Sequence, residues 1–181
     1  MKKLLLLAFS FLLIIAGAKA QQLDPENTLV LELKDGDVYI QMYPDVAPNH
    51  VARIKELVRQ GFYDGLKFHR VIDGFMAQTG DPKGNGTGGS GQKLKAEFNN
   101  KHHGRGTVSM ARAVDPNSAD SQFFICFDDA GFLDGQYTVW GQVVQGMQFV
   151  DNIKRGNPRD NGNVFEPDKI ISLKVLADTK K

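Results

Sequence analysis

The 181-residue chain contains one cysteine. With Cys126 alone, no intrachain disulfide can form, even in a compartment that would permit one. Cys126 sits in the apolar run Phe123-Phe124-Ile125-Cys126-Phe127. No basic neighbour or helix start is there to lower its pKa, so it reads as a small core hydrophobe and not as a nucleophile. An excess of charge is lacking too: 22 Lys and Arg stand against 21 Asp and Glu. That balance gives no electrostatic reason to expect nucleic acid or an anionic membrane as a partner. Internal repeats and low-complexity linkers are absent. No acid–base pair stands out: Asp115 and Asp128-Asp129 read as solvated loop charge. His102-His103 are adjacent on a loop, with no carboxylate or cysteine at ligand spacing, so neither a metal nor another cofactor is expected.

The longest apolar run lies at the N-terminus. Lys2-Lys3 is a short basic segment, Leu4 to Ala18 carries one serine and no charge, and Ala18-Lys19-Ala20 fits a small-x-small cleavage pattern. The run is shorter than the roughly 20 residues of a spanning helix. The expectation is a signal peptide over 1–20, cleaved after Ala20, and a periplasmic or secreted protein that leaves the membrane once cleaved. Loss of Lys2, Lys3 and Lys19 leaves 19 basic against 21 acidic side chains. The remaining 21–181 has the length of one domain.

Thr28-Leu29-Val30-Leu31-Glu32-Leu33 and Asp37-Val38-Tyr39-Ile40-Gln41-Met42 flank Lys34-Asp35-Gly36, which predicts a hairpin across an Asp-Gly turn. Pro48 suits a first helical turn, Val51, Ile54, Leu57 and Val58 recur at helical spacing, and Gly61 suits the stop. A second short helix is predicted from Met147 to Lys154, with Val150 and Ile153 inward. Short β runs are predicted over 67–72, 75–78, 107–111, 122–127, 138–144 and 170–176. Many short strands, frequent glycine turns and two helices argue for a mainly β fold, a closed antiparallel barrel without an edge strand. No long apolar helical stripe calls for a partner subunit, so a monomer is expected.

The loop Gly84-Asn85-Gly86-Thr87-Gly88-Gly89-Ser90-Gly91 lacks the Gly-Lys-Ser/Thr and following helix of a phosphate cradle. It reads as a loop whose glycines take positive φ and admit a substrate backbone. Alternation along Phe68-His69-Arg70-Val71-Ile72 places Phe68, Arg70 and Ile72 on one face. His69 falls on the other, where it is expected to hydrogen-bond inside the fold. An arginine between apolar residues on a strand is either snorkelling to solvent or in use. Gln78, one strand later, stands where it can hold the guanidinium.

Five motifs occur in order: Phe68-His69-Arg70, Gly74-Phe75-Met76-Ala77-Gln78, Gly86-Thr87-Gly88-Gly89, Ser121-Gln122-Phe123-Phe124-Ile125 and Leu133-Asp134-Gly135. With their spacing they resemble the cyclophilins, peptidyl-prolyl cis/trans isomerases, from Val30 to about Lys174. The resemblance implies an eight-stranded antiparallel barrel capped by two α-helices, with an active groove on its outer face and proline-containing polypeptides as substrates. It implies Arg70 as the catalytic arginine, with Gln78 positioning it. It implies Phe75, Met76, Phe124 and Leu133 as the proline pocket, and Gln122, Ala111, the Arg112 backbone, Ala113 and Gly86 along the side of the residues before proline.

Three positions depart from the best-known eukaryotic pattern. Phe132 stands where many members have tryptophan, Tyr137 where many have histidine, and Arg112 where many have asparagine. By the resemblance Arg112 acts mainly through its backbone. Phe132 lacks the indole N–H offered to cyclosporin, so binding of that drug is expected to be weak. These departures look like bacterial, exported members. The reading from another class is a binding module that holds proline-containing loops without turnover; Arg70 and Gln78 favour the enzyme.

Overall fold

A computed structural model of the chain describes residues 23–179. The predicted signal peptide lies outside the described residues. The hairpin forms as the Asp-Gly turn predicts, from β1 (Thr28–Leu33) and β2 (Gly36–Met42), with Leu33 opposite Gly36. Helix α1 (Pro48–Arg59) starts at Pro48 and buries Val51, Ile54, Leu57 and Val58. Its N-terminal amides are held by a distant residue: the Glu97 carboxylate accepts from the N–H groups of Asn49 and His50 at 3.1 and 3.0 Å. An anion at that end also meets the positive pole of the helix.

The remaining strands are β3 (Arg70–Ile72), β4 (Met76–Thr79), β5 (Thr107–Met110), β6 (Phe123–Cys126), β7 (Val139–Gln145) and β8 (Ser172–Val175). They form one antiparallel sheet in the order β3-β4-β6-β5-β7-β2-β1-β8. The sheet curls into a half-barrel and does not close, which corrects the expected closed barrel. At one end, β3 gives its free edge to the segment after α2 (Met147–Asp151). Val71 donates to the Gly162 carbonyl, Gly156 donates to the Val71 carbonyl, and Val164 donates to His69. That segment contains Pro158, which has no N–H, and Asn161 and Gly162 at φ +48° and +78°. Such a backbone cannot continue as a strand toward β8. Between the two ends there is a lone bridge, Lys67 with Lys169. The β3 edge is thus bonded to this segment and not to β8.

Two further boundaries differ from expectation. Helix α2 ends at Asp151 and not Lys154, because the Lys154 N–H turns to the Asp168 carboxylate at 2.7 Å. Strand β3 begins only at Arg70, so the alternation expected from Phe68 breaks. Phe68 is buried in the main core while Arg70 is half-buried on the outer layer.

The main core packs the concave face of the sheet against α1. Phe123 anchors it, with Tyr63 and Trp140 edge-on at 5.6 and 5.5 Å. A second apolar cluster, Met76, Phe124, Cys126, Ala130 and Leu133, lies on the opposite face. The ends of the described chain meet away from it, where Arg59 binds both Glu26 and Asp178 at 2.9 and 3.0 Å.

Candidate active site

Strand alternation builds the outer face. In β6, Phe123 and Ile125 point to the core and Phe124 and Cys126 away from it; in β4, Ala77 points inward and Met76 away. The register then aligns one row across four strands. Arg70 stands opposite Gln78, Gln78 opposite Phe124, and Phe124 opposite Ser109.

The Arg70 guanidinium is pinned at three points. Nη1 donates to Gln78 Oε1 at 3.1 Å, Nε to the Asn161 carbonyl at 3.1 Å, and Nη2 to Asn161 Oδ1 at 3.0 Å. A guanidinium carries five N–H donors. One N–H on each terminal nitrogen therefore has no protein partner among the described residues. Burial pulls this arginine below its usual pKa, with Tyr137 opposing weakly; it stays charged in a partly dry setting.

Gln78 passes the order along. Its Nε2 donates to Gln122 Oε1 at 2.9 Å, and Gln122 Nε2 donates to the carbonyls of Gly88 and Gly86 at 2.8 and 3.1 Å. The glycine loop has its own fastener. The Asp81 carboxylate accepts from the backbone N–H of Lys83, Asn85 and Gly86 at 2.8, 2.9 and 2.6 Å. Gly80 sets where this loop leaves β4: at φ +87°, a Cβ there would collide with the backbone of Ser121 and Gln122.

Two adjoining cavities result. One, of about 280 Å³, is lined by Arg70, Phe75, Met76, Gln78, Ala111, Arg112, Phe124, Phe132, Leu133 and Tyr137. Phe132 is 66% exposed at its rim and packs on Phe75, ring centres 5.3 Å apart. The second, of about 360 Å³, shares Gln78, Ala111 and Arg112 with the first and adds Gly86, Ala113 and Gln122. All thirteen positions expected at the site thus line these two adjoining cavities.

Some features differ from the sequence reading. Arg112 uses its side chain: Nη1 donates to the Ala113 carbonyl at 2.9 Å, Nη2 to the Gln136 carbonyl at 2.9 Å, and the group lies 4.5 Å from the Tyr137 ring centre. His69 is buried, but neither ring nitrogen finds a hydrogen-bond partner among the described residues. His102 and His103 converge on one carboxylate: His102 Nδ1 and His103 Nδ1 lie 2.7 and 2.8 Å from the two oxygens of Asp134. His102 Nε2 reaches Asp129 at 2.8 Å, so Asp129 is paired. No group of three or more His, Cys, Asp or Glu among the described residues is arranged to hold a metal ion. Cys126 lies under the groove, its thiol pushed up to about 12 by burial. Asn161 was missed by the sequence reading, although Asn161-Gly162 is a turn signature that marks the segment.

The arrangement offers an apolar pocket with a fixed cation at its rim. Residues 28–175 match the family described as cyclophilin type peptidyl-prolyl cis-trans isomerase/CLD. A probable peptidyl-prolyl cis-trans isomerase of Brucella suis is 57% identical over 185 residues, 96% of this chain and 94% of the relative. A peptidyl-prolyl cis-trans isomerase of Synechococcus elongatus is 42% identical over 151 residues, 82% of this chain and 96% of the relative. Among solved structures, a cyclophilin from Hirschia baltica superposes with a TM-score of 0.77 at 31% identity, covering 86% of this chain and 76% of the other. A cyclophilin type isomerase of Cryptosporidium parvum, crystallised in the presence of the dipeptide ala-pro, gives a TM-score of 0.75 at 26% identity, covering 82% and 98%. The chain belongs to the cyclophilin-type peptidyl-prolyl cis-trans isomerase family. Its activity is that of the family, cis/trans isomerisation of peptidyl-prolyl bonds.

Proposed function

We propose that the groove isomerises X-Pro bonds in unfolded or exported polypeptides, with Arg70 stabilising the twisted amide. The supporting observation is the guanidinium fixed by Gln78 and Asn161, with N–H groups to spare beside an apolar pocket.

The peptide bond's partial double bond sets a barrier of roughly 18–20 kcal/mol. X-Pro bonds populate both isomers but exchange in tens to hundreds of seconds. Turnover near a millisecond requires a factor of about 10⁴–10⁵, or about 5.5–7 kcal/mol. Twisting breaks the conjugation and leaves a lone pair on the proline nitrogen. Arg70 can donate to that nitrogen, but not usefully to a planar amide, so the interaction favours the transition state over the ground state. One charge-assisted hydrogen bond contributes about 1.5–3 kcal/mol. Holding the proline ring on Phe75, Met76, Phe124 and Leu133, away from water, must supply the remainder. No proton transfer is needed. Gln122 and the Gly86 and Ala113 backbone receive the residues before proline. The ala-pro dipeptide present with the Cryptosporidium relative supports proline-containing peptides as ligands here.

Export is inferred from Lys2-Lys3, the apolar run Leu4 to Ala18 and Ala18-Lys19-Ala20. Clients would then be polypeptides met outside the cytoplasm, and the protein would act there as a monomer. NMR exchange spectroscopy on an Ala-Pro peptide, with wild type and Arg70→Ala, tests the mechanism. Exchange cross-peaks with wild type and their loss with Arg70→Ala are expected. Equal exchange with both proteins would remove Arg70 from the mechanism.

A further inference from the structure

His103 lines neither cavity of the groove, yet three of its groups hold the pocket. Its carbonyl accepts from Ala130 N–H at 2.7 Å, where the turn carrying Phe132 and Leu133 begins. Its N–H and Nδ1 both reach Asp134 Oδ1 at 2.8 Å, where that turn ends. The imidazole lies flat behind the Phe124 ring, centres 6.2 Å apart at 17°, while Tyr137 meets the same ring edge-on at 6.0 Å. Nε2 is 3.0 Å from Ser109 Oγ, and Ser109 is the residue across from Phe124 in the sheet. The ring is fully buried. One residue therefore sets both the floor and one wall of the pocket.

The hydrogen bonds define two proton arrangements. The Asp134 carboxylate only accepts, so Nδ1 carries a proton. Ser109 Oγ has one proton and two neighbours at 3.0 Å, His103 Nε2 and the Thr138 carbonyl. With a neutral ring, Nε2 is bare and Ser109 donates to it. With a charged ring, Nε2 donates to Ser109, whose proton turns to the Thr138 carbonyl. The two states differ in the direction of one bond beside Phe124.

We propose that His103 is a positioning residue of the isomerase, holding Phe124 and the Leu133-bearing turn in register for the proline ring through Asp134 and Ser109. The inference rests on the reading of the groove given above. The titratable groups acting on the imidazole are His102 on its own segment and Asp134 on the facing turn.

The test measures kcat and KM on an Ala-Pro peptide from pH 5 to 8 for wild type, His103→Asn, Ser109→Ala and Arg70→Ala. Folded fraction is checked by amide NMR. Asparagine keeps the bond to Asp134 but cannot titrate, stack or reach Ser109. A misplacement of about 1 Å can lower a rate by about a hundredfold. The expected result is a loss in kcat of about tenfold per folded His103→Asn molecule, with KM within about twofold. A wild-type inflection in kcat should vanish in this variant. If His103→Asn does not fold, Ser109→Ala carries the test, and its inflection should shrink. Unchanged kcat in the folded variants, or identical pH profiles in wild type and His103→Asn, would overturn the proposal. An active His103→Asn beside an inactive Arg70→Ala defeats this inference alone; an active Arg70→Ala defeats the reading of the groove.

Discussion

The Arg112 guanidinium lies 4.5 Å from the centre of the Tyr137 ring and bonds carbonyls on both sides of the groove, at Ala113 and Gln136. It ties the segment that follows β5 to the one that leads into β7. A cation–π contact between half-buried groups such as these contributes about 0.5–2 kcal/mol. Arg112→Ala is expected to raise KM for an Ala-Pro peptide by at least about twofold, with the fold intact. Steady-state kinetics with a circular dichroism control checks it, and an unchanged KM would return Arg112 to a backbone role.

Arg70→Ala should fold normally and lose most of its activity, about one to two decades in kcat/KM. Asn161→Gly separates holding from reacting: glycine accepts the left-handed backbone and keeps the carbonyl but removes Oδ1. Its loss should be smaller than that of Arg70→Ala. Activity of Arg70→Ala within a few-fold of wild type would contradict the assignment.

Cyclosporin is expected to bind weakly, and Phe132→Trp to tighten it by about one to two decades, because an unpaired acceptor on the drug costs about 1–3 kcal/mol. Peptide turnover should change less, since the proposed proline pocket is completed by Phe75, Met76, Phe124 and Leu133. Drug titrations of both proteins decide it; equal affinities would place Phe132 outside the drug contact.

Acid should weaken the fold before the carboxylates titrate. Burial holds His50, His69 and His103 below the ordinary histidine value. For such groups stability is full above the unfolded value of about 6.5 and falls as pH drops through it toward the folded pKa. His102 runs the other way: Asp134, then Asp129, raise it, so its contribution is present below about 6.5 and lost as pH rises through its folded value. That group is exposed, so its effect is small. Urea midpoints should fall between pH 7 and 5, and His69→Phe should flatten part of the slope, because the His69 ring has no partner among the described residues to lose. An equal slope in both proteins would exclude His69 as a contributor.

The mature protein should begin near Gln21 and be found outside the cytoplasm. Mass spectrometry of the protein from its native host checks this. An intact Met1-Lys2-Lys3 terminus would end that expectation.

Local pattern made much of the fold legible. The helical spacing of Val51, Ile54, Leu57 and Val58 marks α1, and Lys34-Asp35-Gly36 marks the first hairpin, because both depend on near neighbours. Closure of the sheet was not legible, since it turns on where the backbone around Pro158 and Gly162 lies against β3. The groove positions were read from motifs, and they gather in space. What motifs could not carry were partners far apart in the chain: Asn161 meets Arg70 across 91 positions, and His102 meets Asp134 across 32. Arg112 was underread for a related reason. Its partners are carbonyls, which leave no mark in a sequence.

Arg59, by gripping Glu26 and Asp178 together, brings the two ends of the described residues side by side. The described polypeptide is topologically close to a ring, with β1 and β8 side by side and the groove carried on strands far from the junction. A short linker joining the ends, with a new opening cut in an exposed loop, is a circular permutation that such geometry tolerates. The groove has no stake in which strand the ribosome makes first.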